Sequence, residues 1–145
     1  MRLLTHNIMR NNSAAASKAN CNIPPRITAA TQIRVDAPFT DDGDNRDEND
    51  IRTRREIEFV KHTLPILHWE SLVLAAKALG LESLPTEVTV ELAQDDDFLR
   101  ALYHVLMNVH LVNGMLTCSE TGREFPVTDG IVNMMFEESE CEWLQ

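Results

Sequence analysis

No apolar run in this sequence approaches the roughly 18 residues that a membrane-spanning helix needs, so nothing in it reads as a helical span. Cysteine is scarce: three in 145 residues, a small and odd number that makes no disulfide scaffold. A reduced, intracellular compartment is the simple reading. The five glycines are scattered singly, and no Gly-rich loop is present to cradle a phosphate or a dinucleotide. Basic residues are few, with 13 Lys and Arg against 23 Asp and Glu, for a net charge of −10. Backbone binding to nucleic acid rests on Lys/Arg neutralisation of phosphates, so a chain this acidic is a poor candidate for it unaided.

Acid is missing from one stretch. Residues 1–35 carry Arg2, Arg10, Lys18, Arg26 and Arg34 and no carboxylate, whereas all 23 acids follow. An acid-free start bearing Arg and Ser is also the composition of a mitochondrial transit peptide, and that reading stands beside a folded N-terminus.

What is present is organised by period. Met1 to Asn7 contains an apolar pair and suits a brief strand; Asn11 to Asn20 reads as a loop, and Pro24-Pro25 bars a helix. Thr31 to Val35 alternates, placing Ile33 and Val35 on one face of a strand. Asp41 to Asp50 holds six acids and reads as a solvated loop. A calcium loop is not supported, since counting twelve positions from Asp41 ends on Arg52. Trp69, Leu72, Val73, Ala76 and Leu79 mark an amphipathic helix stopped at Gly80. Asp95-Asp96-Asp97 opens a second one, carrying Phe98, Leu102, Val105, Leu106 and Val109. Asn113-Gly114, Thr121-Gly122 and Asp129-Gly130 then punctuate strand-like runs at 115–118, 123–127 and 131–136, a small antiparallel meander. Pro126 puts its strand at an edge or breaks it. The tail from Glu137 to Glu142 is expected to fray, with Trp143 and Leu144 as possible docking points.

The fold class is therefore α+β. Residues 1–55 and 110–145 form a small antiparallel β domain with an acidic loop at about 40–52, and residues 56–109 form a helical insertion.

Met1-Arg2-Leu3-Leu4-Thr5-His6-Asn7 and the segment Gly114 to Met135 (GMLTCSETGREFPVTDGIVNMM) carry a resemblance. So do Phe59-Val60, Leu64-Pro65, Leu67, Trp69 and Phe98-Leu99-Arg100 between them. The chain resembles the small activator subunit shared by several eukaryotic S-adenosylmethionine-dependent methyltransferases that act on tRNA, rRNA and a translation release factor. The likeness fails over residues 36–55, and relatives carry Pro where Val132 stands. It implies a zinc-ribbon-like β domain whose first residues are folded, a location in cytoplasm and nucleus, and heterodimers with methyltransferase catalytic subunits. RNA or release factor would be met only through the complex, and no membrane is involved.

Chemistry within the chain is sparse. His6, His62, His68, His104 and His110 carry no signature that converges a nucleophile, a base and an orienting group. No catalytic residue and no cofactor-binding residue is expected, and S-adenosylmethionine would belong to the partner. The resemblance implies a four-cysteine zinc site in many relatives, a pair near the N-terminus and a CxxC near the C-terminus. Here Cys118 is followed at the CxxC spacing by Thr121, and the N-terminal stretch has only Cys21. Tetrahedral zinc is thus not expected, and no metal ligand is assigned.

Partner binding is the stronger signal. Val127, Ile131, Val132, Met134, Met135 and Phe136 fall within ten residues. A strand apolar on both faces is buried on both, and in so small a domain another protein could supply one cover. At least one of Met134 and Met135 should face outward. The resemblance makes Asn7, Thr128, Asp129, Gly130, Ile131, Val132, Asn133, Met134 and Met135 the partner-binding set. The expected function is a non-catalytic activator and stabilising subunit that covers an apolar surface on a methyltransferase. The alternative is a stand-alone nucleic-acid-binding ribbon, which would call for an intact cysteine set and a basic face.

Overall fold

Two helices supply much of the core, and both begin at side chains that cap them. Asp95 accepts from the Asp97 N–H at 3.0 Å and starts α5 (Asp96–Asn108), with Asp96 and Asp97 at its positive end. Leu99, Leu102, Val105 and Leu106 form its buried stripe. His68 caps α4 (Trp69–Ala78) through Nδ1, which accepts from the Ser71 N–H at 3.3 Å. The helix closes where the Gly80 and Leu81 N–H groups bond back to Lys77 and Ala76 carbonyls. The computed structural model describes residues 1–37 and 46–144.

The remaining elements, in chain order, are α1 (Leu3–Ile8), α2 (Ala14–Lys18), β1 (Arg26–Val35), α3 (Arg46–Thr63), β2 (Val109–Thr117), β3 (Glu124–Thr128) and β4 (Ile131–Val132). Short 3₁₀ helices cover Leu64–Ile66, Leu92–Gln94 and Glu138–Leu144. The strands form one antiparallel sheet in the order β1-β2-β3-β4. N-terminal and C-terminal segments share this sheet, and α3, α4 and α5 lie between them in sequence, so the fold is α+β with a central helical insertion.

β1 pairs with β2 from Arg26↔Thr117 to Val35↔Val109, with three register shifts. At Gly114 the two backbones come so close that a Cβ there would collide with the Ala29 carbonyl oxygen. A single apolar core joins helices to sheet, with Leu3, Val60, Leu72, Leu102, Leu116 and Phe125 all fully buried. Each such side chain contributes about 1.5–3 kcal/mol by leaving water.

Several expectations need correction. The opening residues are not a strand beyond an isolated Arg2↔His110 bridge and two bonds between Met1 and Leu111, each 2.8 Å. From Leu3 they are helix α1, because Leu3, His6 and Asn7 lie one turn apart and are all buried. The loop expected over Asn11–Asn20 contains α2, capped by Ser13. Asn113-Gly114 is no turn; it lies inside β2, where the absent Cβ admits β1. The acidic loop expected at about 40–52 is helix α3 from Arg46 onward, while its part at 40–45 lies outside the described residues. Asp47 and Glu48 suit a helix N-terminus, Arg52 Nε bonds Glu56 at 3.3 Å, and Ile57 and Val60 dock the helix.

Where a fraying tail is expected, the chain forms a 3₁₀ helix over Glu138–Leu144. Arg123 Nε donates to Glu140 at 2.7 Å, holding the last 3₁₀ helix back against the β2–β3 connection. The docking expected of Trp143 and Leu144 concerns side chains outside the described ones. Among the described residues no helix is long and apolar enough to cross a membrane.

Candidate partner surface and cysteine cluster

The turn at Asp129-Gly130 has positive φ at both residues, 51° and 77°, the geometry that folds a two-residue hairpin back with the twist of its strands. Asn113 Oδ1 accepts from the Asp129 N–H at 3.1 Å, and the Val112 carbonyl accepts from the Gly130 N–H at 2.8 Å. This fixes β4 beside β3, with Val127↔Val132 and Thr128↔Ile131 paired. β4 is the edge of the sheet.

Along β4 and its continuation the side chains alternate. Ile131 is 73% exposed and Met135 is 79% exposed, while Val132 and Met134 pack partly buried against the core. One methionine of the pair thus faces out, the alternation of an extended segment continuing past the end of β4. Thr128, Asp129 and Asn133 are exposed around them, and Gly130 is half-buried. Asn133 braces the segment: its N–H donates to the Pro126 carbonyl at 2.9 Å, and its Oδ1 accepts from the Met135 N–H at 3.1 Å.

Arg123, which sequence reading did not single out, clamps the same segment. Its Nη2 donates to the Met135 carbonyl at 3.1 Å, and its guanidinium carbon lies 5.4 Å from the centre of the Phe125 ring. The backbone N–H of Glu137 and the Arg123 guanidinium together hold the Glu140 carboxyl below its ordinary range. Phe136 meets Phe125 edge to face at 6.1 Å. The one signal available in sequence was a lone Arg between a turn and a strand.

Asn7 does not join this surface. It is 1% exposed, and its side chain bonds the backbone of His68 on both sides, donating to the carbonyl and accepting from the N–H, each at 2.9 Å. Its polar atoms tie α1 to the start of α4.

A second cluster brings together residues distant in sequence. Asn11 Nδ2 donates to Thr121 Oγ1 at 3.2 Å, and Cys21 Sγ lies 3.7 Å from Cys118 Sγ. Two thiols, an amide and a hydroxyl do not fit tetrahedral zinc, which takes thiolate, imidazole or carboxylate ligands. Among the described residues no three Cys, His, Asp or Glu side chains gather to hold a metal ion. Burial pushes the Cys118 thiol up, but bonds from the Thr121 and Asn11 side chains and from the Thr121 and Glu120 N–H groups outweigh it and bring the group down to about 7. Burial raises the Cys21 thiol.

Four of the five histidines are engaged in hydrogen bonds within the fold. His6 Nε2 donates to the Pro25 carbonyl at 2.6 Å, His104 Nδ1 meets Asn108 Nδ2 at 3.0 Å, and His110 Nε2 meets Asp36 Oδ2 at 2.8 Å. His68 is the helix cap already described.

Comparison with known proteins adds family. No family model matches the chain. It is 34% identical to the multifunctional methyltransferase subunit TRM112 homolog A of Arabidopsis thaliana, over 97% of this chain and 99% of that one. It is likewise 34% identical to the TRM112-like protein of Mus musculus, over 98% and 99%, and 32% identical to that of Bos taurus, over the same shares. With identity above three residues in ten along nearly the whole of both chains, this chain belongs to the TRM112 family of multifunctional methyltransferase subunits.

Proposed function

We propose that this chain is a non-catalytic subunit that activates and stabilises methyltransferases by covering an apolar surface of the catalytic chain. The observation that carries this reading is the pair Ile131 and Met135, 73% and 79% exposed, the first on the edge strand and the second just beyond its end, in a member of this family. An exposed edge offers backbone hydrogen bonds to a second chain, and alternating apolar side chains fill pockets on it. Met135 adds an adaptable contact, since Met repacks easily. Thr128, Asp129, Gly130 and Asn133 frame the patch, and Val132 and Met134 support it from beneath. Binding the native state of the enzyme stabilises it by mass action.

The finer assignments follow the family resemblance. The enzymes act on tRNA, rRNA and a translation release factor, the complexes are heterodimers, and they work in cytoplasm and nucleus. S-adenosylmethionine is held by the catalytic chain, RNA and release factor reach this subunit only through the complex, and the chain holds no zinc.

The test is affinity purification of Ile131→Asp and Met135→Asp variants, with co-purifying methyltransferases identified by mass spectrometry. A charge forced into a desolvated apolar contact costs on the order of several kcal/mol. Both side chains are exposed in the free chain, so circular dichroism stays at wild type while the methyltransferase is lost. Folded variants that retain it at wild-type level overturn this surface.

A further inference from the structure

Cys21 and Cys118 are 97 residues apart in sequence, yet their sulfurs are 3.7 Å apart, and among the described residues no third Cys, His, Asp or Glu gathers with them to hold a metal ion. Both are free thiols. A disulfide needs a sulfur separation of about 2.05 Å, so closing the gap takes about 1.7 Å of movement. Cys118 is held firmly at the base of the β2–β3 connection: its N–H donates to the Arg123 carbonyl and its carbonyl accepts from the Gly122 N–H, each at 2.9 Å. Cys21 follows α2 outside any regular element, tied there by one backbone bond from its N–H to the Ala16 carbonyl at 3.0 Å, and is half-exposed, so it is the less constrained partner and the side from which a small oxidant arrives.

We propose that Cys21 and Cys118 form a reversible intramolecular disulfide when the chain meets a peroxide. The Cys118 thiolate attacks one oxygen of hydrogen peroxide; the O–O bond breaks, hydroxide leaves, and Cys118 becomes a sulfenic acid. The Cys21 sulfur then attacks the sulfenic sulfur. The S–S bond forms, the S–O bond breaks, and the departing hydroxide takes the Cys21 proton as water. Two thiols and one peroxide give one disulfide and two waters, with two electrons passing from sulfur to peroxide oxygen. The hydrogen bonds around Cys118 that bring its thiol down to about 7 supply thiolate at neutral pH. They also favour the reduced form, which makes the bridge one that cellular dithiols can open. Closed, it ties the N-terminal segment covalently to the connection that leads into β3 and β4.

The experiment treats the reduced full-length chain with hydrogen peroxide, blocks remaining thiols with iodoacetamide, and maps peptides by mass spectrometry without reductant. Alkylatable thiols fall from three to one, the Cys21 and Cys118 peptides are joined, and Cys141 is alkylated; dithiothreitol restores all three. In Cys21→Ser, which leaves Cys118 in place, oxidation stops at a sulfenic acid that dimedone labels. Three alkylated cysteines after peroxide, a bridge to Cys141, or Cys118 carried to sulfinic acid beside a free Cys21 each overturn the proposal.

Discussion

His6 is 1% exposed, and with Nε2 committed to the Pro25 carbonyl its Nδ1 has no hydrogen-bond partner. Burial pushes this imidazole below its ordinary value of 6.5; the Pro25 carbonyl raises it in part, and nearby Arg10 lowers it. The folded state therefore binds fewer protons than the unfolded chain just below pH 6.5, where free histidine is already charging. Its contribution is whole above that pH and is lost as the pH falls through the lowered value. Urea midpoints should decline as the pH drops from 7 towards 5, and NMR should find the His6 ring still neutral at pH 6.5. A ring half protonated at that pH contradicts the assignment. Residues of this kind were the least legible in sequence. A His and an Asn in the core look like surface polar residues until Pro25 and the His68 backbone are seen to satisfy them.

Elements were legible where their own residues carried the period. α4 and α5 were readable because their buried stripes repeat at helical spacing between a cap and a stop. The start of α3 was hidden because its first turns bury no large side chain; Ile51 is 49% exposed and the stripe begins only at Ile57. The turn at Asp129-Gly130 was legible and the same chemistry at Asn113-Gly114 misled, since there the glycine serves a neighbouring strand. That difference is measurable. Gly114→Ala puts a methyl into the Ala29 carbonyl, a collision with backbone that cannot rotate away. It should destabilise by about 1–3 kcal/mol, the usual range for overpacking, and lower the urea midpoint by separating β1 from β2. An unchanged midpoint would mean the two strands tolerate a wider spacing.

At the scale of the molecule, the order of strand-like and helical periods was enough to join the two ends in one β domain, but the particular contacts between them have no local signature. Asn11 reaches Thr121 and Cys21 reaches Cys118 across most of the chain, and nothing near either residue announces the other. The donor set they make leads to a direct check. Purified chain, washed with chelator, should contain far less than one zinc per molecule by elemental analysis, and calorimetry should record no binding of S-adenosylmethionine to it. Stoichiometric zinc would require ligands other than this cluster, and cofactor binding would move the methyl-donor site into this subunit.

The sheet also imposes an order on biosynthesis. β1 emerges from the ribosome long before β2, since Val35 waits for Val109 and Arg26 for Thr117 while all of α3, α4 and α5 is made. At roughly 5–20 residues per second that interval lasts several seconds. A nascent strand with open backbone groups is a template for the wrong neighbour. Arg26, Thr28, Thr31, Gln32 and Arg34 leave it polar on much of its length, so the segment can stay hydrated and unpaired until β2 is made. The helices come out next, and α5 passes directly into β2 at Val109, so the matching strand is made as the direct continuation of the last helix.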